Sequence, residues 1–156
     1  MLNEIIHSTI GWFHFITALL ALLSGTIVLL NTKGTKFHKR VGYTYVVSMV
    51  SLNVSSFFII SFGNYSLFHF FALVSLFTVL GGIIAAWRRR KKWLVAHYYF
   101  MSWSVVGLYA ALWSEIGTRF TSNMKDFWWM VVIATVATVA IGSRIINKQA
   151  KKLNIK

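Results

Sequence analysis

The chain has 156 residues, of which 57% are hydrophobic, 17% aromatic and only 12% charged. A soluble domain carries about a quarter charged residues, so this composition excludes an ordinary water-exposed surface. The net charge of +13 comes from 16 Lys and Arg against Glu4, Glu115 and Asp126, and there is no Cys and no Pro; disulfides, thiolate metal sites, iron–sulfur clusters, covalent haem attachment through C-x-x-C-H and proline kinks are all excluded.

A membrane-spanning helix needs about 20 mostly apolar residues. Five stretches qualify, predicted at about 8–30, 41–62, 66–87, 94–116 and 127–146. The segment before the first has no positive n-region, contains Glu4, and no A-x-A-like cleavage site follows, so 8–30 reads as a retained helix and not a signal peptide. Along it Gly11, His14, Ala18, Ala21 and Gly25 recur at helical steps, a stripe small everywhere except at the histidine. Such a stripe is either a helix–helix seam of the small-x-x-x-small kind or a groove for a bulky guest.

A polar loop is predicted at 31–40, reading Asn-Thr-Lys-Gly-Thr-Lys-Phe-His-Lys-Arg, so that His38 precedes the second helix and Gly42 follows one turn on. Phe62-Gly63-Asn64-Tyr65 reads as a tight turn. The third helix carries His69 about one turn in. Five consecutive basic residues, Arg88 to Lys92, lead to the fourth, which carries His97 about one turn in, then Met101, Ser104 and, near its far end, Glu115. A polar loop at 117–126 precedes the fifth.

The expected fold is all-α and integral to the membrane: a single transmembrane domain over 1–156 of five helices, four of them in an antiparallel bundle. Helices satisfy their own backbone in lipid, and these runs are too long and too continuously apolar for barrel strands. Fourteen of the basic residues fall on one side: Lys33, Lys36, Lys39, Arg40, Arg88 to Lys92, Arg144, Lys148, Lys151, Lys152 and Lys156. Only Arg119 and Lys125 fall on the other. The positive-inside rule therefore predicts an inner or plasma membrane protein with its N-terminus outside and its C-terminus cytoplasmic. The charge is accounted for by topology and anionic-lipid contact, and nucleic acid is not an expected partner. Trp12, Trp87, Trp93, Trp113, Trp128 and Trp129 near the run ends form the expected interfacial belt.

Ionisable groups inside a membrane are costly and mark function. With this topology His14 and His69 lie near the outer face and His38 and His97 near the inner face; His7 is read as interfacial. Diagonal helices of a bundle would aim each pair inward. Two facing imidazoles can be the axial ligands of a haem iron, and at ~1.5 Å per residue the two depths differ by roughly 15–20 Å. The cofactor expected is haem b, one or two per chain, with electron transport, and an oxidoreductase if the chain is an enzyme. Two alternatives stand beside it. His14, His69 and Glu115 form a two-His, one-carboxylate set suited to zinc or copper in a metal-dependent membrane enzyme or a metal transporter. Or the histidines are structural, in an accessory subunit. Glu115 is also four residues from Arg119, the spacing of a helical ion pair. Met101 is an alternative axial ligand or a core filler. The basic run at 88–92 is topogenic, or attracts an anionic donor or haem propionates. The expected partners are the bilayer with its anionic lipids, an electron donor, an acceptor, and a second copy of the chain as a homo-oligomer.

The stretch Lys33-Gly34-Thr35-Lys36-Phe37-His38-Lys39-Arg40-Val41-Gly42-Tyr43 resembles the hallmark of a bacterial family of predicted membrane proteins catalogued as a domain of unknown function. Its members resemble this chain over most of its length, including a histidine in the first helix and one in the third. The layout is also similar to the transmembrane di-haem cytochromes that carry electrons from cytoplasmic ascorbate to outside acceptors. That similarity rests on topology and histidine depth, and implies His14 with His69 and His38 with His97 as ligand pairs. This chain is shorter, has five helices, and offers no recognisable ascorbate pocket.

Overall fold

The computed structural model describes residues 8–60 and 66–154; the turn expected at 62–65 and His7 lie outside the described residues. Among the described residues the regular structure is entirely helical: α1 Thr9–Leu30, α2 Lys36–Ser56, α3 Leu67–Arg88, α4 Trp93–Thr118 and α5 Met124–Lys152. Three of them, α1, α3 and α5, are long and apolar enough to cross a membrane.

Local chemistry sets the helix ends. Ser8 caps α1 by accepting the Gly11 N–H at 3.0 Å, and Asn123 caps α5 by accepting that of Asp126 at 2.9 Å. At the other end of α1, the Lys33 ammonium donates to the Val28 and Leu29 carbonyls at 2.7 and 2.6 Å, where it also complements the helix dipole. Desolvation there lowers its pKa from the ordinary lysine value.

Both ends of α2 and of α5 differ from the apolar pattern: α2 stops at Ser56, short of the expected 62, with Phe57 and Phe58 in a turn, and α5 starts at Met124, ahead of the expected 127, where Asn123 caps it. The polar stretch expected as a loop over 31–40 is a loop only to Thr35, whose hydroxyl accepts the His38 N–H at 3.0 Å and starts α2 at Lys36. Residues 36–40 are the first turn of a helix rather than a connection. At the far end α5 continues six residues past Ile146 to Lys152, because Lys, Gln and Ala favour helix without needing to be apolar.

Polar side chains inside the helices bond back to their own turns. Thr17, Ser24, Asn53, Ser55 and Ser104 each donate to a carbonyl three or four residues earlier, so they remain satisfied away from water. Large apolar side chains such as Leu23, Phe77, Val136 and Ile141 are exposed, as lipid-facing residues are. Trp12, Trp87, Trp113 and Trp129 are more than half exposed.

The chain forms two compact units, Met1–Leu80 and Gly81–Lys156, with the boundary inside α3. In the first, α1 packs along α2. The stripe noted on α1 turns toward this seam: Ala21 and Gly25 are buried, with Thr17, Ser24 and Val28 beside them. Tyr45 and Met49 of α2 are each 1% exposed. In the second unit α4 and α5 run antiparallel. The Tyr98 hydroxyl donates to the Ile146 carbonyl at 2.8 Å. A Cβ placed on Gly142 would meet Val106 Cγ2 at 2.5 Å, so that crossing is close only because Gly142 has no side chain.

Candidate functional site

A neutral imidazole has one N–H and one lone pair, and the partner of one nitrogen fixes the role of the other. His14, half-buried on α1, has Nδ1 2.9 Å from Ser55 Oγ near the end of α2. The Ser55 hydroxyl has a single hydrogen and donates it to the Leu52 carbonyl at 2.9 Å. With its hydrogen given to Leu52 it accepts from His14 Nδ1–H, which puts the ring lone pair on Nε2; this is the assignment that satisfies both contacts.

His97, in the first turns of α4, has Nδ1 2.9 Å from the Gly82 carbonyl oxygen on α3. A carbonyl can only accept, so Nδ1 carries the hydrogen here too and Nε2 the lone pair. An Nδ1–H held by a carbonyl or other acceptor is the support that orients a metal-ligating histidine. The close approach depends on Gly82, where a Cβ would stand 2.5 Å from Met101 Sδ. Met101 is buried in this contact, as the core filler the sequence allowed.

His69 has the opposite arrangement. It is buried at the third position of α3, and its Nδ1 accepts the Ser66 backbone N–H at 3.0 Å, with Ser66 Oγ at 3.2 Å. This is one half of a capping box, the bond from the third helical side chain back to the cap N–H, with histidine in the place usually held by Glu or Gln; the His69 N–H itself donates to the Ser66 carbonyl at 3.0 Å. With Nδ1 accepting, the proton of the neutral ring is on Nε2. Thr35-Lys36-Phe37-His38 has the same order as Ser66-Leu67-Phe68-His69, a capping hydroxyl followed two residues later by Phe-His. His38 is half-buried at the start of α2, and a Cβ on Gly42, one turn on, would meet nothing within 4 Å.

The structure brings His14 and His69 to the same end of α2. His14 reaches Ser55, and the His69 ring lies 5.9 Å from that of Phe57, with the planes at 48°. His38 belongs to the first compact unit and His97 to the second. Glu115 pairs with Arg119 at 2.6 Å across one helical turn, partly in solvent, which is the ion pair their spacing allowed. Among the described residues no three His, Cys, Asp or Glu side chains form a group that could hold a metal ion.

Sequence reasoning named the histidines but missed Ser55 and Gly82, which set their tautomers, and Ser66, which engages His69. Ser66 had a readable signal, a hydroxyl residue three positions before a side chain able to accept and just ahead of an apolar run. Gly82 had none, because it acts through its backbone carbonyl.

No curated protein and no solved structure matches the chain. A family model covers residues 11–148, nearly the whole sequence and all four of these histidines. The chain thus belongs to the family described as Predicted membrane protein (DUF2306).

Proposed function

We propose that this protein is a five-span electron-transfer protein of the inner or plasma membrane that binds one or two b-type haems through its histidines. In this reading α2 and α4 also cross the bilayer, four helices form an antiparallel bundle, the N-terminus is outside, and the basic loops and C-terminal end are cytoplasmic. The observation that carries the reading is the Nδ1 contact shared by His14 and His97. Each has Nδ1 2.9 Å from an oxygen, Ser55 Oγ or the Gly82 carbonyl, the kind of contact that orients a ligating imidazole toward a metal through Nε2. His69 and His38 complete the outer and inner pairs. For His69 this means exchanging the Ser66 N–H for iron, or rotating the ring.

Bound haem supplies a reversible one-electron couple. The protein's own contribution is to hold the imidazoles, exclude water and hide the macrocycle among apolar helices. Protein purified from haem-supplied cells is expected to show a Soret band and, on reduction, sharp α-bands. A colourless preparation of undiminished stability rejects the proposal.

One observation favours a second reading, an accessory membrane subunit whose histidines are structural: the bond from the Ser66 N–H to His69 Nδ1 gives His69 a local role at the start of α3. That reading expects every single His→Ala variant to leave cofactor content unchanged.

A further inference from the structure

The turn from α3 to α4 forms a cleft of about 230 Å³ whose two kinds of wall differ in chemistry. Its rim carries Arg88, Arg90 and Lys91; its floor and sides are Gly81, Ile84, Ala85, Trp93 and Ala96. The rim is built by backbone geometry. Arg89 and Lys92 both adopt the left-handed region, at φ 45° and 61°, so the backbone turns sharply twice within the five-residue basic run. Arg89 is turned aside, with its guanidinium carbon 5.5 Å from the Trp93 ring centroid, a cation–π distance. The other cations of the run are thereby divided, and Arg88, Arg90 and Lys91 border the cleft.

No carboxylate is near this run in sequence: Glu4, Glu115 and Asp126 are the only acidic residues of the chain. The rim therefore favours an anion with several acceptor oxygens, such as a phosphate diester. The floor argues for more than a phosphate. A small soluble anion gains nothing from Ile84, Ala85, Ala96 and the Trp93 ring, whereas an acyl chain gains from each methylene it buries. Two of the floor residues, Ala85 and Ala96, carry only a methyl group. Trp93 is the first residue of α4, and tryptophans at the ends of spanning helices meet lipid headgroups.

We infer that this cleft is a specific site for one anionic phospholipid, with its phosphate at Arg88, Arg90 and Lys91 and the start of an acyl chain on the Gly81–Ala85–Ala96 floor. The inference needs α3 to be in a membrane but is independent of haem binding and of which face is cytoplasmic.

The test is lipid retention by the full chain. Protein reconstituted in equimolar phosphatidylglycerol and phosphatidylcholine is extracted in mild detergent, and bound lipid is counted by native mass spectrometry. One phosphatidylglycerol is expected to stay bound in preference to phosphatidylcholine. Each of R90Q and K91Q should weaken its retention about fivefold. A85L fills the cleft with charge intact and should abolish retention, with A96L as the second such variant if A85L unfolds. The distant pair K151Q/K152Q should retain lipid like the wild type. Equal retention of both lipids, wild-type retention by a folded A85L or A96L, or an equal loss in K151Q/K152Q overturns the inference. Displacement of the lipid by excess inorganic phosphate also overturns it, because the site would then be one for a soluble anion.

Discussion

The imidazole of His97 on α4 is tied at 2.9 Å to the backbone of Gly82 on α3, so a candidate ligand on one helix takes its orientation from a residue without a side chain on the next. His97→Ala is expected to remove about one haem per chain if there are two sites, read as Soret absorbance per protein. Gly82→Ala acts differently. Its new Cβ would meet Met101 Sδ at 2.5 Å and Cγ at 2.8 Å, an overpacking that costs about 1–3 kcal/mol. Because Met101→Ala removes the opposing atoms, the two substitutions together should cost less in thermal unfolding than the sum of the two made singly.

His69 can be separated into its two roles by one substitution. Glutamate at the same position can accept the Ser66 N–H as in a capping box, but it is not an imidazole. His69→Glu is therefore expected to keep the bond to the Ser66 N–H, lose the outer haem and leave the inner one. His69→Ala should lose the haem and also about 0.5–2 kcal/mol of cap energy. If His69→Glu retains full haem, His69 is a cap only, and the outer pair is not a haem site.

The Tyr98 hydroxyl joins α4 to the Ile146 carbonyl on α5 at 2.8 Å. Tyr98→Phe removes this bond with almost no change of shape. A loss of about 0.5–1.5 kcal/mol is expected in denaturant titration of the detergent-solubilised protein, with haem content unchanged.

Glu115 discriminates the haem reading from the zinc or copper reading. Its carboxylate is 60% exposed and paired with Arg119, and exposed pairs of this kind contribute less than about 1 kcal/mol. Glu115→Gln should leave stability, haem and elemental composition within error of the wild type. Stoichiometric zinc or copper in the wild-type protein that disappears in Glu115→Gln would revive the metal-enzyme or transporter reading.

The apolar runs made the helices legible: the ends of α1, α3 and α4 fall within two residues of the run boundaries. The start of α2 was not legible from hydropathy, because Lys36, Lys39 and Arg40 resemble a loop until Thr35 is recognised as the cap that places them in a first turn. The same bias hid the last turns of α5. At the site, the residue types that matter could be read directly, since histidine in an apolar run is conspicuous. Their protonation geometry could not, because it depends on Ser55, 41 positions from His14, and on a main-chain oxygen of Gly82. Such contacts are products of packing, which a linear pattern does not encode.

The buried polar face of α2 bears on how the protein enters a bilayer. Ser48, Asn53 and Ser55 are each 5% exposed, and α2 is not among the three helices apolar enough to cross alone. A translocon that released α2 by itself would deliver those groups to hydrocarbon. Beside α1 they are covered. In the five-span arrangement the α1–α2 hairpin, rather than either helix singly, is then the unit that lipid accepts. Mutations that loosen the α1 seam at Ala21 or Gly25 should therefore appear first as failed insertion and degradation, before any change in the finished protein can be measured.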